Sequence, residues 1–166
     1  MKIRPAGVED TARIAEINVK TWKSAYRGLI DDNFLNNRNI TPQRCENWRQ
    51  IIAAGQTIFL AAENDEGIVC GYLWGGKGRS KILPPEWEIF AFYVLPEFQG
   101  QGFGRALFAA FRQEIGHQPF YLYALKGNRK AEAFYLRQGA RRAAEFDTQN
   151  EISGIVLNEA AFLFEA

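Results

Sequence analysis

Cysteine and histidine are scarce in this sequence. Its 166 residues include two cysteines, Cys45 and Cys70, and one histidine, His117. So few soft ligands exclude a structural zinc site, and no metal is expected. Two widely spaced thiols make no disulfide framework, which fits a reducing compartment. Excess charge of either sign is also missing: 20 Lys and Arg offset 19 Asp and Glu, a formal net charge of +1. Broad nucleic-acid binding runs on surplus basic residues, so no nucleic-acid partner is expected. No apolar run approaches the ~18 residues of a membrane span, and MKIRPAGVED lacks the apolar stretch of a secretory leader. The expectation is a soluble, cytoplasmic protein with no membrane partner. His117 reads as a turn residue beside Gln118 and Pro119, and without a G-x-S-x-G motif a serine hydrolase is not supported.

With 47% hydrophobic residues the chain can bury a sizeable core, and its length fits one domain spanning residues 1–166. Lys2 to Pro5 reads as a short strand. A helix follows from about Val8 to Tyr26, with Asp10 and Thr11 as candidate caps. The Asn- and Asp-rich stretch Arg27 to Ile40 reads as loop or helix fragments. Thr41 and Pro42 then cap a second helix that stops at Gly55. TIFLAAE and IVCGYLWGG, separated by NDEG, predict a hairpin. A polar loop from Gly76 to Pro85 precedes EWEIFAFYVL, Glu86 to Leu95, the strongest strand pattern in the chain. Helices are predicted over about Phe103–Ile115 and Asn128–Gly139, with a strand at Gln118–Leu125 between them. Further strands are predicted around Ala140–Phe146 and Ile155–Phe164.

The most informative segment is the strand ending at Pro96, the glycine loop QGQGFG at 99–104 and the helix after it. A helix N-terminus offers unpaired N–H groups and partial positive charge to phosphate. Glycines ahead of it remove Cβ atoms that would hold a pyrophosphate away from the backbone. The dinucleotide fingerprint fails on spacing, because it needs glycine where Arg105 stands and an acidic residue where the chain reads YLYAL. A P-loop fails as well, since no Gly-Lys-Ser/Thr is present. On spacing alone a tight turn without a ligand stays open.

Gln99-x-x-Gly102-x-Gly104, entered from a strand reading FYVLPEFQG, resembles the acetyl-CoA loop of the GNAT superfamily of N-acetyltransferases. Asn128, Ala131, Phe134, Tyr135 and Gly139 match a second family pattern on the following helix. The element order agrees along nearly the whole chain. The resemblance implies an α/β (α+β) fold, with a mixed, mostly antiparallel sheet of about six or seven strands flanked by about four helices. It also implies a parallel pair splayed apart in the middle of the sheet. The cosubstrate would be acetyl-CoA. Its pantetheine arm would pair with Phe92, Tyr93 and Val94 as an extra strand would, beside Tyr121–Leu125. Its pyrophosphate would sit on the N–H groups of Gln99, Gly100, Gln101, Gly102, Phe103, Gly104 and Arg105. Asn128 would bond the pantetheine, Tyr135 would reach the sulfur, and Lys126, Arg129 and Lys130 are candidates for the 3′-phosphate.

Acyl transfer to an amine needs a neutral nucleophile, a stabilised oxyanion and a proton for the departing thiolate. The Val94 N–H is the candidate for the oxyanion, and Tyr135 for the proton. Core packing is the alternative role for Tyr135, since positions 131, 134 and 135 share a helical face. Glu88 is the candidate base or water-holder. Strand alternation places it with Glu86, Phe90, Phe92 and Val94 on one face, although a carboxylate there also fits a simple ion pair. The resemblance makes the first two helices one wall of the acceptor site, so Trp22 and Tyr26, with Trp74 from the hairpin, are candidate substrate contacts. The expected acceptor is a primary amine of a small molecule. The alternatives are a protein or peptide amine, and a non-catalytic acyl-CoA-binding module. A monomer or a homodimer is expected.

Overall fold

The computed structural model describes all 166 residues. Its strands are β1 (Lys2–Pro5), β2 (Ile58–Glu63), β3 (Val69–Lys77), β4 (Trp87–Val94), β5 (Phe120–Leu125), β6 (Arg141–Arg142), β7 (Thr148–Ile152) and β8 (Ile155–Phe164). Its helices are α1 (Thr11–Ala25), α2 (Asp32–Asn37), α3 (Pro42–Ala54), α4 (Phe103–Glu114) and α5 (Arg129–Arg137). The strands form one sheet in the order β1-β2-β3-β4-β5-β8-β6, with β7 paired to β8. Every pairing is antiparallel except β4 with β5. This is the expected mixed sheet with a central parallel pair, carrying eight strands and five helices. No helix is long and apolar enough to cross a membrane.

Local chemistry accounts for the element boundaries. Thr41 accepts the Arg44 N–H at 3.2 Å and Pro42 opens α3, while Gly55 closes it at φ +60°, a left-handed cap that glycine adopts without strain. In the β2–β3 turn, the Asn64 side chain accepts the N–H groups of Glu66 and Ile68 at 3.1 and 2.9 Å. In α4, Phe103, Leu107, Phe108 and Phe111 are buried, an apolar stripe at helical spacing that seats the helix on the sheet.

Apolar layers cover both faces of the sheet. On one face α4 and α5 press Phe108, Phe111, Phe134 and Tyr135 against Leu73, Phe92, Leu122 and Phe162. On the other, Ile14 and Ile17 of α1 pack with Phe59, Tyr72 and Tyr93, and Trp48 of α3 joins them. Trp22, Leu35, Leu125 and Leu157 extend that second layer towards β8.

Three sequence expectations change in detail. The α1 segment begins with a 3-10 turn at Val8–Asp10, and the Asp10 carboxylate accepts from the Gly7 N–H and Arg4 rather than capping the helix. The strand expected over Ala140–Phe146 is two residues of β6 followed by a 3-10 turn at Ala144–Phe146. β7, TQNEI, is an additional strand exposed along nearly its whole length, so it lacks the apolar alternation that marks a half-buried strand.

Candidate active site

The register of β4 and β5 creates the site. The two strands pair only at Trp87 with Phe120, Glu88 with Tyr121 and Ile89 with Leu122. Beyond these residues they part, and a cleft of about 980 Å³ runs through the gap. It is lined by Phe90 to Val94 on β4, Leu122 to Leu125 on β5, and residues of α1, α4, α5 and the glycine loop.

A bulge at the start of the gap reorients β4. Trp74 of β3 pairs with Ala91 and Gly75 pairs with Ile89, so Phe90 is the extra residue. An extra residue inverts the alternation beyond it. Glu88 lies on the same side as Tyr121, whereas Phe92 and Val94 pack into the α4–α5 layer and Ala91 and Tyr93 into the α1 layer. The alternation expected from the sequence, with Glu88, Phe92 and Val94 on one face, is therefore corrected by the bulge.

The exposed edge of β4 is suited to pairing. The Leu95 N–H donates to the Cys70 carbonyl on β3 at 2.9 Å. Successive main-chain groups alternate sides in a strand, so those of Val94 and Phe92 point into the gap. The Gln99 side-chain amide donates to the Val94 carbonyl at 2.8 Å, which places the glycine loop against the end of that edge.

The loop itself offers a row of donors. None of the backbone N–H groups from Gly100 to Arg105 donates within the chain, and the ladder of α4 starts at Ala106 N–H to the Gly102 carbonyl. Gly102 caps the helix at φ +94°, and an added Cβ would meet only Met1 Cε, at 3.6 Å. At Gly104 a Cβ would lie 3.4 Å from the Phe92 ring and 3.5 Å from Phe134, so its absence lets α4 approach the gap closely. Arg27, Arg105, Arg129, Lys130 and Arg137 line the cleft together with no acidic residue. None of these five takes part in an ion pair, whereas Lys126 is held by Asp147 at 2.8 Å.

The remaining candidate residues separate by position. Gln101 and Phe103 do not line the cleft: the Gln101 amide donates to the Glu97 carbonyl, and Phe103 is buried against Phe98. Asn128 lines it and caps α5, accepting the Ala131 N–H at 3.3 Å. Tyr135 lines the cleft and is 7% exposed. Its burial pushes the phenol pKa well up, so it keeps its proton. Tyr93 and Tyr26 line the cleft where the end of α1 meets β4, their hydroxyls 3.4 Å apart, and burial raises the pKa of both.

Trp22, Trp74 and Glu88 are not among the lining residues. The Trp22 indole donates to the Tyr93 hydroxyl at 3.0 Å and carries the Arg38 guanidinium on its face. It thus supports the cleft wall from behind. Trp74 donates to Thr57 and packs among Trp48, Phe59 and Phe90. Glu88 is 2% exposed, and its carboxylate accepts from the Arg79 N–H at 2.9 Å, the Arg79 guanidinium at 2.6 Å and the Tyr121 hydroxyl at 2.9 Å. It pins the loop before β4 to β5. Sequence reasoning missed Arg27, Tyr123 and Arg137 as lining residues. Tyr123 alone carried a signal, as a polar aromatic in the strand facing the gap. No group of three or more His, Cys, Asp or Glu side chains is placed to hold a metal.

A family model described as the GNAT acetyltransferase family matches residues 22–140. The chain belongs to the GNAT acetyltransferases. Its relatives include YuaI of Bacillus subtilis strain 168, named an uncharacterized N-acetyltransferase. The two are 31% identical over 160 residues, covering 95% of this chain and 88% of that protein. The PaiA N-acetyltransferase of Thermoplasma acidophilum, solved in complex with coenzyme A, shares the fold with a TM-score of 0.74 at 17% identity, over 99% and 98% of the two chains. YncA of Salmonella typhimurium, a putative acetyltransferase solved with acetyl-CoA, gives 0.71 at 22% identity, over 99% and 93%. In this GNAT chain the splayed strand pair, the glycine loop and α5 all lie within the matched segment.

Proposed function

We propose that this GNAT protein transfers an acetyl group from acetyl-CoA to a primary amine of a small molecule by direct attack, acting in the cytoplasm. The observation that carries the reading is the cradle. The N–H groups from Gly100 to Arg105 are all unbonded, and four of these residues, Gly100, Gly102, Gly104 and Arg105, line a cleft whose lining holds five unpaired cations and no acid. In a chain of net charge +1, such local segregation favours a polyanion, and a diphosphate with a further phosphate fits it. Bound acetyl-CoA supplies an activated thioester. The Val94 N–H, on the open strand edge, bonds a carbonyl oxygen in the gap more strongly as negative charge develops there. Tyr135, kept protonated by burial, holds a proton for a departing thiolate. Asn128 keeps its amide N–H₂ for the pantetheine while its oxygen caps α5. Thr21, Ser24, Tyr26 and Leu29 wall the acceptor end, which supports a small amine.

The test is thermal melting with saturating acetyl-CoA, with NADH and ATP as controls. It is followed by product mass analysis on an alkylamine, a diamine, an amino acid and a peptide with a free N-terminus. Ligand at 100 times Kd adds about 2.7 kcal/mol, a rise of roughly 5–10 °C at this size. A shift with acetyl-CoA alone and an acetylated amine are expected. No shift in the folded protein would remove the reading.

A further inference from the structure

An alkylamine is mostly protonated at neutral pH and cannot attack until it loses a proton. No carboxylate lines the cleft, and Glu88 is already committed to Arg79 and Tyr121. One carboxylate beside the gap is still unclaimed. Glu159 on β8 stands across from Leu125 of β5 and Thr148 of β7. On its strand Leu157 packs with Trp22, Leu125 and Tyr26, and Ala161 packs with Tyr121 and Tyr123. Alternation therefore brings Glu159 out between these two clusters, on the acceptor side of the sheet. It is half-buried and no hydrogen bond holds its carboxylate.

We infer that Glu159 is the carboxylate that meets the acceptor's ammonium group and takes its proton, a role that rests on the acetyl-transfer reading above. Its surroundings suit the task. The charges acting on it are Arg79, already paired, and Glu88, which repels it. Lys126, just after β5, and Arg142 of β6 are both bound to Asp147, just before β7. Glu151 of β7 pairs with Val156 and so falls on the opposite face. From α1, β4 and β5, the phenols of Tyr26, Tyr93 and Tyr123 feel its charge, each raised in part by it. All three line the cleft. Burial raises the Glu159 pKa, which makes it a better-matched proton acceptor than a solvated carboxylate.

The proton passes from the ammonium nitrogen to the Glu159 carboxylate, directly or across one water. The lone pair it frees forms the new nitrogen–carbon bond as the carbon–sulfur bond breaks. Tyr135 gives its proton to the thiolate and is reprotonated by the second proton that the nitrogen loses. Glu159 then releases its own proton to water, so the transfer yields amide, thiol and one proton.

The experiment measures kcat/KM against pH for wild type, Glu159→Gln and Glu159→Asp. It uses the best alkylamine of the panel and 2,2,2-trifluoroethylamine, whose nitrogen is largely neutral at pH 7. In the wild type, kcat/KM for the alkylamine should fall as pH drops through the raised Glu159 pKa. Glu159→Gln should lose that limb and at least ~30-fold of the rate at neutral pH. It should lose far less with trifluoroethylamine, and Glu159→Asp should recover most of the activity. The acetyl-CoA melting shift should be the same in all three proteins. A folded Glu159→Gln with the wild-type rate and pH profile overturns the inference, as does equal loss on both amines. Those results leave acetyl transfer standing. A wild type that acetylates no amine removes the acetyl-transfer reading and this inference together.

Discussion

Gly102→Val separates the glycine loop's role in folding from its role in binding. Gly102 sits at φ +94°, a backbone region that costs an L-residue about 1–2 kcal/mol, more when it is β-branched. At this chain length each kcal/mol lowers Tm by about 2–4 °C, so the free protein should melt roughly 2–8 °C lower. Little is added by clashes, because only Met1 Cε lies near the new Cβ, at 3.6 Å. That open space is where the pyrophosphate would lie. The branched side chain should therefore exclude the ligand and remove the rise of roughly 5–10 °C that saturating acetyl-CoA gives the wild type. Gly67→Val is the control. Gly67 has φ +77° in the β2–β3 turn, with nothing within 4 Å of an added Cβ, and does not line the cleft. It should share the loss in Tm but keep the full acetyl-CoA shift. A folded Gly102→Val with the wild-type ligand shift would refute the assignment of the loop to phosphate.

Tyr135→Phe should lower kcat at least ~tenfold with acetyl-CoA affinity unchanged; unchanged turnover would remove the general-acid role. Glu88→Ala should cost about 2–3 kcal/mol by stranding the Tyr121 hydroxyl and the Arg79 N–H, read by urea unfolding, while lowering kcat/KM less than Glu159→Gln does. A larger catalytic loss than that would return Glu88 to the reaction. The Asp147 carboxyl is held far below its usual range by Arg142, with help from Lys126 and the Ala161 N–H. A depressed folded pKa contributes stability above the unfolded value near 3.9 that is lost as pH falls. Wild-type stability should thus drop from about pH 5 towards pH 2, and Asp147→Asn should flatten that decline. An equally steep decline in the variant would show that the Asp147 cluster does not control acid stability.

Features with short-range causes were legible in the sequence. The strand ending at Pro96, the glycines at 100, 102 and 104, and the Thr41–Pro42 start of α3 each depend on a few neighbouring residues. The bulge at Phe90 does not. It exists because Gly75 pairs with Ile89 while Trp74 pairs with Ala91, a cross-strand fact with no local signature. Alternation read along β4 alone therefore put Phe92 and Val94 on the wrong side. Trp22 and Trp74 show the same limit for aromatic residues. Helix or strand spacing places such a ring on a face, but only the packed neighbours decide whether that face meets ligand or core.

Charge is where sequence and structure divide most sharply. Glu88 and Glu159 look alike in the sequence, each a carboxylate within an apolar strand, in EWEIF and in LNEAAF. A buried carboxylate must either be paired or have its charged form disfavoured, and the strand cannot say which. The difference lies in a loop. The Gly76–Pro85 segment folds back so that the Arg79 N–H and guanidinium both reach Glu88, while no hydrogen bond holds Glu159. Of the two, the carboxylate already neutralised holds the scaffold together. The one left without a partner is available to an ammonium group arriving from outside.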